Sequence, residues 1–196
     1  MKENMLQFFK KHPKKLIVFL VIAIAYYFCL PKSLFKTPTA TVLESKQGEL
    51  LGAKIADDGQ WRFPVADSVP YKMKICLLNF EDAYFYKHPG FNPISMFKAI
   101  KSNISAGKTV RGGSTITQQV IRLSREQQKR SYGEKFIELI LATRLELRNS
   151  KEEILQLYAS HAPYGGNVVG LEMASWRYFG LQPHQLSWAE AATLAV

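Results

Sequence analysis

The apolar positions of this chain follow two different patterns. From Leu16 to Leu30 fifteen consecutive residues are apolar, aromatic or Cys29, whereas from Val69 onward the apolar positions recur at helical spacing, in segments near 71–85, 93–106, 115–130, 133–148, 151–160, 170–178 and 187–196. Between the two, Thr41 to Ser45 and Leu50 to Ile55 are short β-prone runs separated by Lys46-Gln47-Gly48, and Asp57-Asp58-Gly59 is a turn before Trp61-Arg62-Phe63. The pattern predicts a mainly α fold with a small N-terminal β element. Glycines such as Gly90, Gly107, Gly112, Gly113, Gly165 and Gly180 punctuate the helical part. The chain stops at Val196 inside a helical pattern that has an N-cap but no C-terminal signal, so it reads as a piece of something longer.

The uninterrupted run predicts a transmembrane helix over residues 16–30. It is slightly short for a span, but Lys14 and Lys15 flank it on one side and can snorkel, and Pro31 closes it on the other. A cleaved signal peptide is the rival, because Ala23-Ile24-Ala25 has the small-x-small form. However, the apolar run continues past it through Tyr26, Tyr27 and Phe28, whereas a cleavage site normally follows the core. The expected organisation is a basic cytoplasmic tail at 1–15, the anchor at 16–30, a linker at 31–40 and one domain at 41–196. By the positive-inside rule the domain lies on the outer face of the membrane.

Charge sharpens this picture. The 196 residues include 26 Lys plus Arg and 16 Asp plus Glu, a net of +10, and the excess is not spread evenly. Residues 1–15 carry five lysines and Glu3, and residues 98–135 carry nine basic residues against Glu126 and Glu134, leaving the rest near neutral. Two separate basic blocks suggest two anionic partners, a lipid surface and a phosphate-bearing ligand. Nucleic acid is not expected, since no reading helix or aromatic stacking motif accompanies the charges. Cys29 and Cys76 are the only cysteines, and Cys29 lies in the apolar run, so neither a disulfide nor a cysteine metal cluster is expected.

Three stretches could carry chemistry. Glu81-Asp82 follows an apolar stretch and precedes His88-Pro89-Gly90; such a pair is commonly a solvated or capping feature, but Glu81 lies among Phe80, Tyr84 and Phe85 and would be ionised at neutral pH, able to act as a general base. His88 suits a structural bond near the turn. In Arg111-Gly112-Gly113-Ser114-Thr115-Ile116-Thr117-Gln118-Gln119, Thr115 and Gln118 have capping-box spacing. The helix start with Arg111 and three hydroxyls is either an anion site for a phosphate or diphosphate, or simply a well-capped helix. Finally Lys135 and Glu138, at i and i+3, form either a surface ion pair or, facing a cleft, a cation held in place near a leaving group.

Taken in order, Glu81-Asp82-x-x-Phe85-x-x-His88-x-Gly90, Gly113 to Gln119, Lys135-x-x-Glu138, Lys151-x-Glu153-Ile154-Leu155-x-x-Tyr158 and Gly170-x-x-x-Ala174-Ser175-x-x-Tyr178-Phe179-Gly180 resemble the five motifs of the family 51 peptidoglycan glycosyltransferases. These are the murein polymerase domains of class A penicillin-binding proteins and of monofunctional transglycosylases. The resemblance covers about residues 40–196 and implies a lysozyme-like, two-lobed domain beside the bacterial inner membrane. Its implied partners are lipid II, the growing lipid-linked glycan strand, moenomycin-type inhibitors and other cell-wall synthesis proteins.

Carried onto this chain, the resemblance implies that Glu81 deprotonates the acceptor 4-hydroxyl, with Lys135 and Glu138 also catalytic. Asp82, His88, Arg111, Gly113, Ser114, Thr115, Thr117, Gln118, Gln119 and Arg122 would serve substrate binding, and Lys151, Glu153 and Tyr158 the scaffold. No obligatory cofactor and no protein metal ligands are implied, although a divalent cation, Mg or Mn, assists the leaving group in some members. The chain departs from the family at Tyr158-Ala159-Ser160-His161, at Arg122 in place of a common lysine, and at Glu134 before Lys135. A lysozyme-like lytic transglycosylase and an inactive membrane-tethered scaffold are the rival functions.

Overall fold

A computed structural model describes residues 13–110, 112–125 and 131–196. The chain divides into two compact units, up to Leu34 and from Phe35 to Val196. In the first, helix α1 (Pro13–Phe28) has no buried residue; Ile22 is 62% exposed and Phe28 74%. Among the described residues no helix is long and apolar enough to cross a membrane. Sixteen helical residues rise about 24 Å at ~1.5 Å each, less than the ~30 Å of a hydrocarbon core.

The second unit is mainly helical. Strands β1 (Thr41–Glu44) and β2 (Leu50–Lys54) form an antiparallel hairpin in the register Thr41 to Lys54, with an irregularity between Leu43 and Glu44. Strand β3 (Trp61–Arg62) pairs in parallel with a distant strand, β4 (Val168–Val169). Ala40, Phe63, Val168, Met173 and Ala174 form a small apolar cluster, with Val42, Leu50 and Ala53 of the hairpin packed against it. The Arg62 guanidinium ties the linker to this element through Pro38 O at 2.6 Å and Asp58 at 3.1 Å.

The remaining helices are α2 (Tyr71–Glu81), α3 (Pro93–Ala106), α4 (Ile116–Ser124), α5 (Tyr132–Glu146), α6 (Lys151–His161), α7 (Leu171–Phe179) and α8 (Trp188–Ala195). They follow the apolar periodicity closely. Helix α4 is the hub: Ile116, Val120 and Ile121 are fully buried, and it packs against both α5 and α6, which contribute Leu145, Ile154 and Leu155. A nine-residue helix is marginal alone, so its existence rests on this burial and on its cap. Each such side chain contributes about 1.5 to 3 kcal/mol.

Two boundaries differ from expectation. The helix predicted over 71–85 stops at Glu81, because Asp82 turns to an extended conformation (φ −160°) and its side chain is drawn to other elements; a short 3-10 turn, Phe85–Lys87, follows. The segment predicted over 115–130 is helical to Ser124, and residues 126–130 lie outside the described residues.

Candidate active site

Glu81 is the last residue of α2 and is half-buried. The carbonyl end of a helix disfavours a carboxylate, so donors must come from elsewhere. Gln119 of α4 supplies one, its Nε2 donating to Glu81 Oε2 at 2.6 Å. The Tyr158 phenol of α6, which is buried, stands close to the same carboxylate. Burial, then the charge of Glu81, push the phenol far above its ordinary range, so it stays neutral. Among the described residues Glu81 enters no ion pair.

Glu81 opens onto a cleft of about 710 Å³ whose walls also include Ser114, Gln119, Arg122, Lys135 and Glu138. On its cationic side, Lys135 Nζ donates to Ser114 Oγ at 2.7 Å and lies 3.4 Å from Glu138 Oε2, while Arg122 Nε lies 3.8 Å from Glu138 Oε1. Glu138 is only 8% exposed, so the Lys135–Glu138 pair is not a solvated surface pair; one buried carboxylate holds two cations from two helices. Since Lys135 donates to Ser114, the serine hydroxyl can itself donate onward to an anion. Glu134, one of the departures from the family pattern, pairs with Arg125 at 2.9 Å.

Behind this wall lies a buried polar knot. Asp82 Oδ2 accepts from the backbone N–H of Ile116 at 3.1 Å and from His88 Nε2 at 2.9 Å. His88 Nδ1 accepts from the Gly90 N–H at 3.2 Å, which assigns the proton to Nε2. Thr115 Oγ1 donates to Gly90 O at 2.7 Å and takes part in the expected capping box with Gln118, which is fully buried. Thr117 Oγ1 donates to Glu146 Oε1 at 2.6 Å, and Lys151 Nζ reaches the same oxygen at 2.7 Å and His88 O at 2.8 Å. Gly90 has φ +93°, and a Cβ there would stand 2.8 Å from the Ala142 carbonyl group, so the turn admits only glycine. At Gly113 a Cβ would meet Ala99 at 3.0 Å.

The residues expected at the site therefore divide. Glu81, Gly113, Ser114, Gln119, Arg122, Lys135 and Glu138 line the cleft, with Asp82 and Thr115 at its floor. His88, Thr117 and Gln118 belong to the knot. The open anion site considered at the start of α4 is corrected by the geometry: the Thr115, Ile116 and Gln118 amides are taken by Gln118 Oε1, Asp82 and Thr115 Oγ1. The anion at that helix start is Asp82 itself. Arg111 lies outside the described residues.

No spacing or motif signals Glu146, which Thr117 and Lys151 engage, and the resemblance implies only a scaffold role for Tyr158. Among the described residues no group of three His, Cys, Asp or Glu side chains converges to hold a metal ion. Asp82 and Glu138 are engaged by His88 and the Ile116 amide and by Lys135 and Arg122.

The transglycosylase family model matches residues 47–196, and the chain belongs to that family. It is 41% identical over 167 residues to penicillin-binding protein 1C of Escherichia coli (strain K12), covering 85% of this chain and 22% of that protein. The chain is 40% identical over 129 residues to the biosynthetic peptidoglycan transglycosylase of Alcanivorax borkumensis, covering 66% of this chain and 53% of that protein. It is 33% identical over 187 residues to the protein of the same name from Cupriavidus metallidurans, covering 89% and 77%. The chain thus spans about a fifth of the first relative and about half of the second.

Proposed function

We propose that this chain polymerises lipid II into β-1,4-linked glycan strands by inverting glycosyl transfer, in bacterial peptidoglycan synthesis. The observation that carries the reading is that Glu81, a carboxylate in no ion pair among the described residues, and a clamped pair of cations, Lys135 and Arg122, with the Ser114 hydroxyl, share the walls of one cleft. Glu81 takes the proton of the acceptor 4-hydroxyl as its oxygen bonds to the donor's anomeric carbon. The bond from that carbon to undecaprenyl diphosphate breaks, and the electron pair leaves on the diphosphate. Lys135, Arg122 and the Ser114 hydroxyl stabilise that charge, and Glu138 keeps both cations in place. The proton on Glu81 then passes to solvent. A divalent cation, Mg or Mn, carried by the diphosphate would be held mainly by phosphate oxygens and water, as such ions commonly are.

This reading includes the two-lobed, lysozyme-like arrangement and a site of action at the outer face of the inner membrane. Support for the membrane comes from α1, apolar and without a buried residue, and from α3, where Ile94, Phe97 and Ile104 are exposed beside Lys98 and Lys101, a combination suited to an anionic lipid surface. Resistance of the chain to alkaline extraction from membranes tests the anchor.

Incubation with purified lipid II tests the chemistry. Glycan chains should form, moenomycin should block them, and Glu81→Gln should lower turnover at least about a thousandfold while lipid II still binds. A Glu81→Gln variant with normal turnover would remove the base. Release of anhydro-muropeptides from sacculi would instead identify a lytic enzyme, and binding without either product an inactive scaffold.

A further inference from the structure

We infer that Gln119 is a positioning residue for Glu81, a neutral donor that fixes the base without neutralising it; this rests on the role of Glu81 proposed above. The family resemblance puts Gln119 among the diphosphate ligands. The geometry instead directs the Gln119 amide at Glu81 Oε2, 2.6 Å away, with the buried Tyr158 phenol of a different helix close by. A donor from α4 restricts both the position and the rotation of a group that otherwise hangs from the last residue of α2.

The choice of a neutral donor matters. A lysine or arginine at hydrogen-bond distance would hold the carboxylate equally well, but it would strongly favour the ionised form and weaken the base. The cations of the cleft are kept from doing this because Lys135 and Arg122 are tied to Glu138. Tyr158 cannot become a competing anion, since burial and the adjacent charge keep its proton on. A second phenol, Tyr164, has a buried hydroxyl with no hydrogen-bond partner among the described residues and feels the charge of Glu81 as well. Buried phenols thus stand near the base without adding a charge to it.

The full chain in detergent, labelled with carboxyl 13C glutamate, provides the test, with the Glu81 signal assigned by its loss in Glu81→Gln. Gln119→Met deletes the donor with little change of volume, and should shift and broaden the Glu81 carboxyl signal at fixed pH, because the group loses the bond that fixes its orientation. With lipid II, this variant should lower kcat about tenfold or more at unchanged KM.

A Glu81 signal unmoved by Gln119→Met, or a KM rise at constant kcat, would overturn the inference and return Gln119 to scaffold or substrate binding. The NMR reading does not depend on turnover. A moved signal in a protein that makes no glycan would uphold the positioning and reject the polymerase; an unmoved signal in an active polymerase would do the reverse. Should Gln119→Met melt early, Gln119→Leu decides.

Discussion

The wall of the cleft and the knot behind it are built from the same kinds of residue, often from neighbours in the chain, yet they do different things. Glu81 and Asp82 are adjacent. Glu81 faces the cleft and is held by the neutral Gln119 side chain, while Asp82 is buried, 8% exposed, and fixed by the Ile116 amide and His88. Ser114 meets Lys135 in the cleft; Thr115, one residue on, caps α4 and donates to Gly90 O. The wall keeps its charge available for a ligand and the knot consumes its polar groups internally. A motif is thus a folding instruction and a chemical one interleaved residue by residue.

The contrast predicts that damage to the wall is read in turnover and damage to the knot in stability. The largest separation should come from Lys135→Met, which removes a leaving-group cation and leaves Ser114 and Glu138 without that donor. A fall of about a hundredfold in kcat for lipid II is expected, with a melting temperature within ~2 °C of the wild type because the ammonium is partly solvated. A large drop in melting temperature at preserved kcat would erase the distinction.

Asp82→Asn should do the opposite. It removes the charge from two buried hydrogen bonds and from the start of α4, at a cost of about 2 kcal/mol. That corresponds to a fall of about 4 to 8 °C in Tm at this chain length, measured by calorimetry, with kcat per folded molecule within about threefold of wild type. Thr115→Val is the milder version: it deletes the cap oxygen and the bond to Gly90 O, for about 1 kcal/mol. Loss of turnover exceeding loss of stability in either variant would move that residue into the wall.

Much of the fold was legible because it is local. Helical spacing of apolar residues located α2 to α8 to within a few residues, and the S/T-x-x-E/Q spacing that marks the caps at Thr115, Ser150 and Ser187 is present as formed capping boxes. Glu81, Ser114 and Lys135 were singled out by residue type and order, and they do line one cleft. What escaped is nonlocal. The end of α2 is set by an amide 34 residues away and the partner of Thr117 lies 29 residues on, so neither leaves a periodic trace. The pairing of β3 with β4 involves two residues on each side, too few for any alternation to register. The resemblance places Tyr158 in the scaffold, and only the tertiary fold brings its buried phenol near Glu81.

The smallest effect concerns His161, which stands where the family more often has a different polar residue and which is neither wall nor knot. Its ring stacks on Phe35 with centroids 3.5 Å apart, and Nδ1 donates to Leu157 O at 2.9 Å, so the ring has a fixed neutral tautomer. Burial, and to a lesser extent the charge of Arg62, hold its pKa below the ordinary 6.5, the bond to Leu157 opposing them only in part. The unfolded chain therefore takes up a proton below pH ~6.5 that the folded chain refuses, and stability must fall as pH drops from there toward the folded value, while staying flat above it. Among the carboxylates Glu172 acts with the opposite sign: burial raises its pKa above the ordinary 4.5, so its cost to folding eases as pH falls, equally in the wild type and in a His161 variant, and the comparison of the two cancels it. Glu152, held low by Lys74 and Tyr86, and Glu153, held low by Ser150, lose their contribution only as pH falls below about 4.5, their ordinary value. Melting temperatures recorded between pH 5 and 8 should decline below 6.5 in the wild type, and the decline should flatten in His161→Phe, which keeps the stack on Phe35 without the titrating nitrogen. An identical slope in the two proteins would show that His161 titrates alike in the folded and unfolded chains, and that its burial costs the charged form nothing.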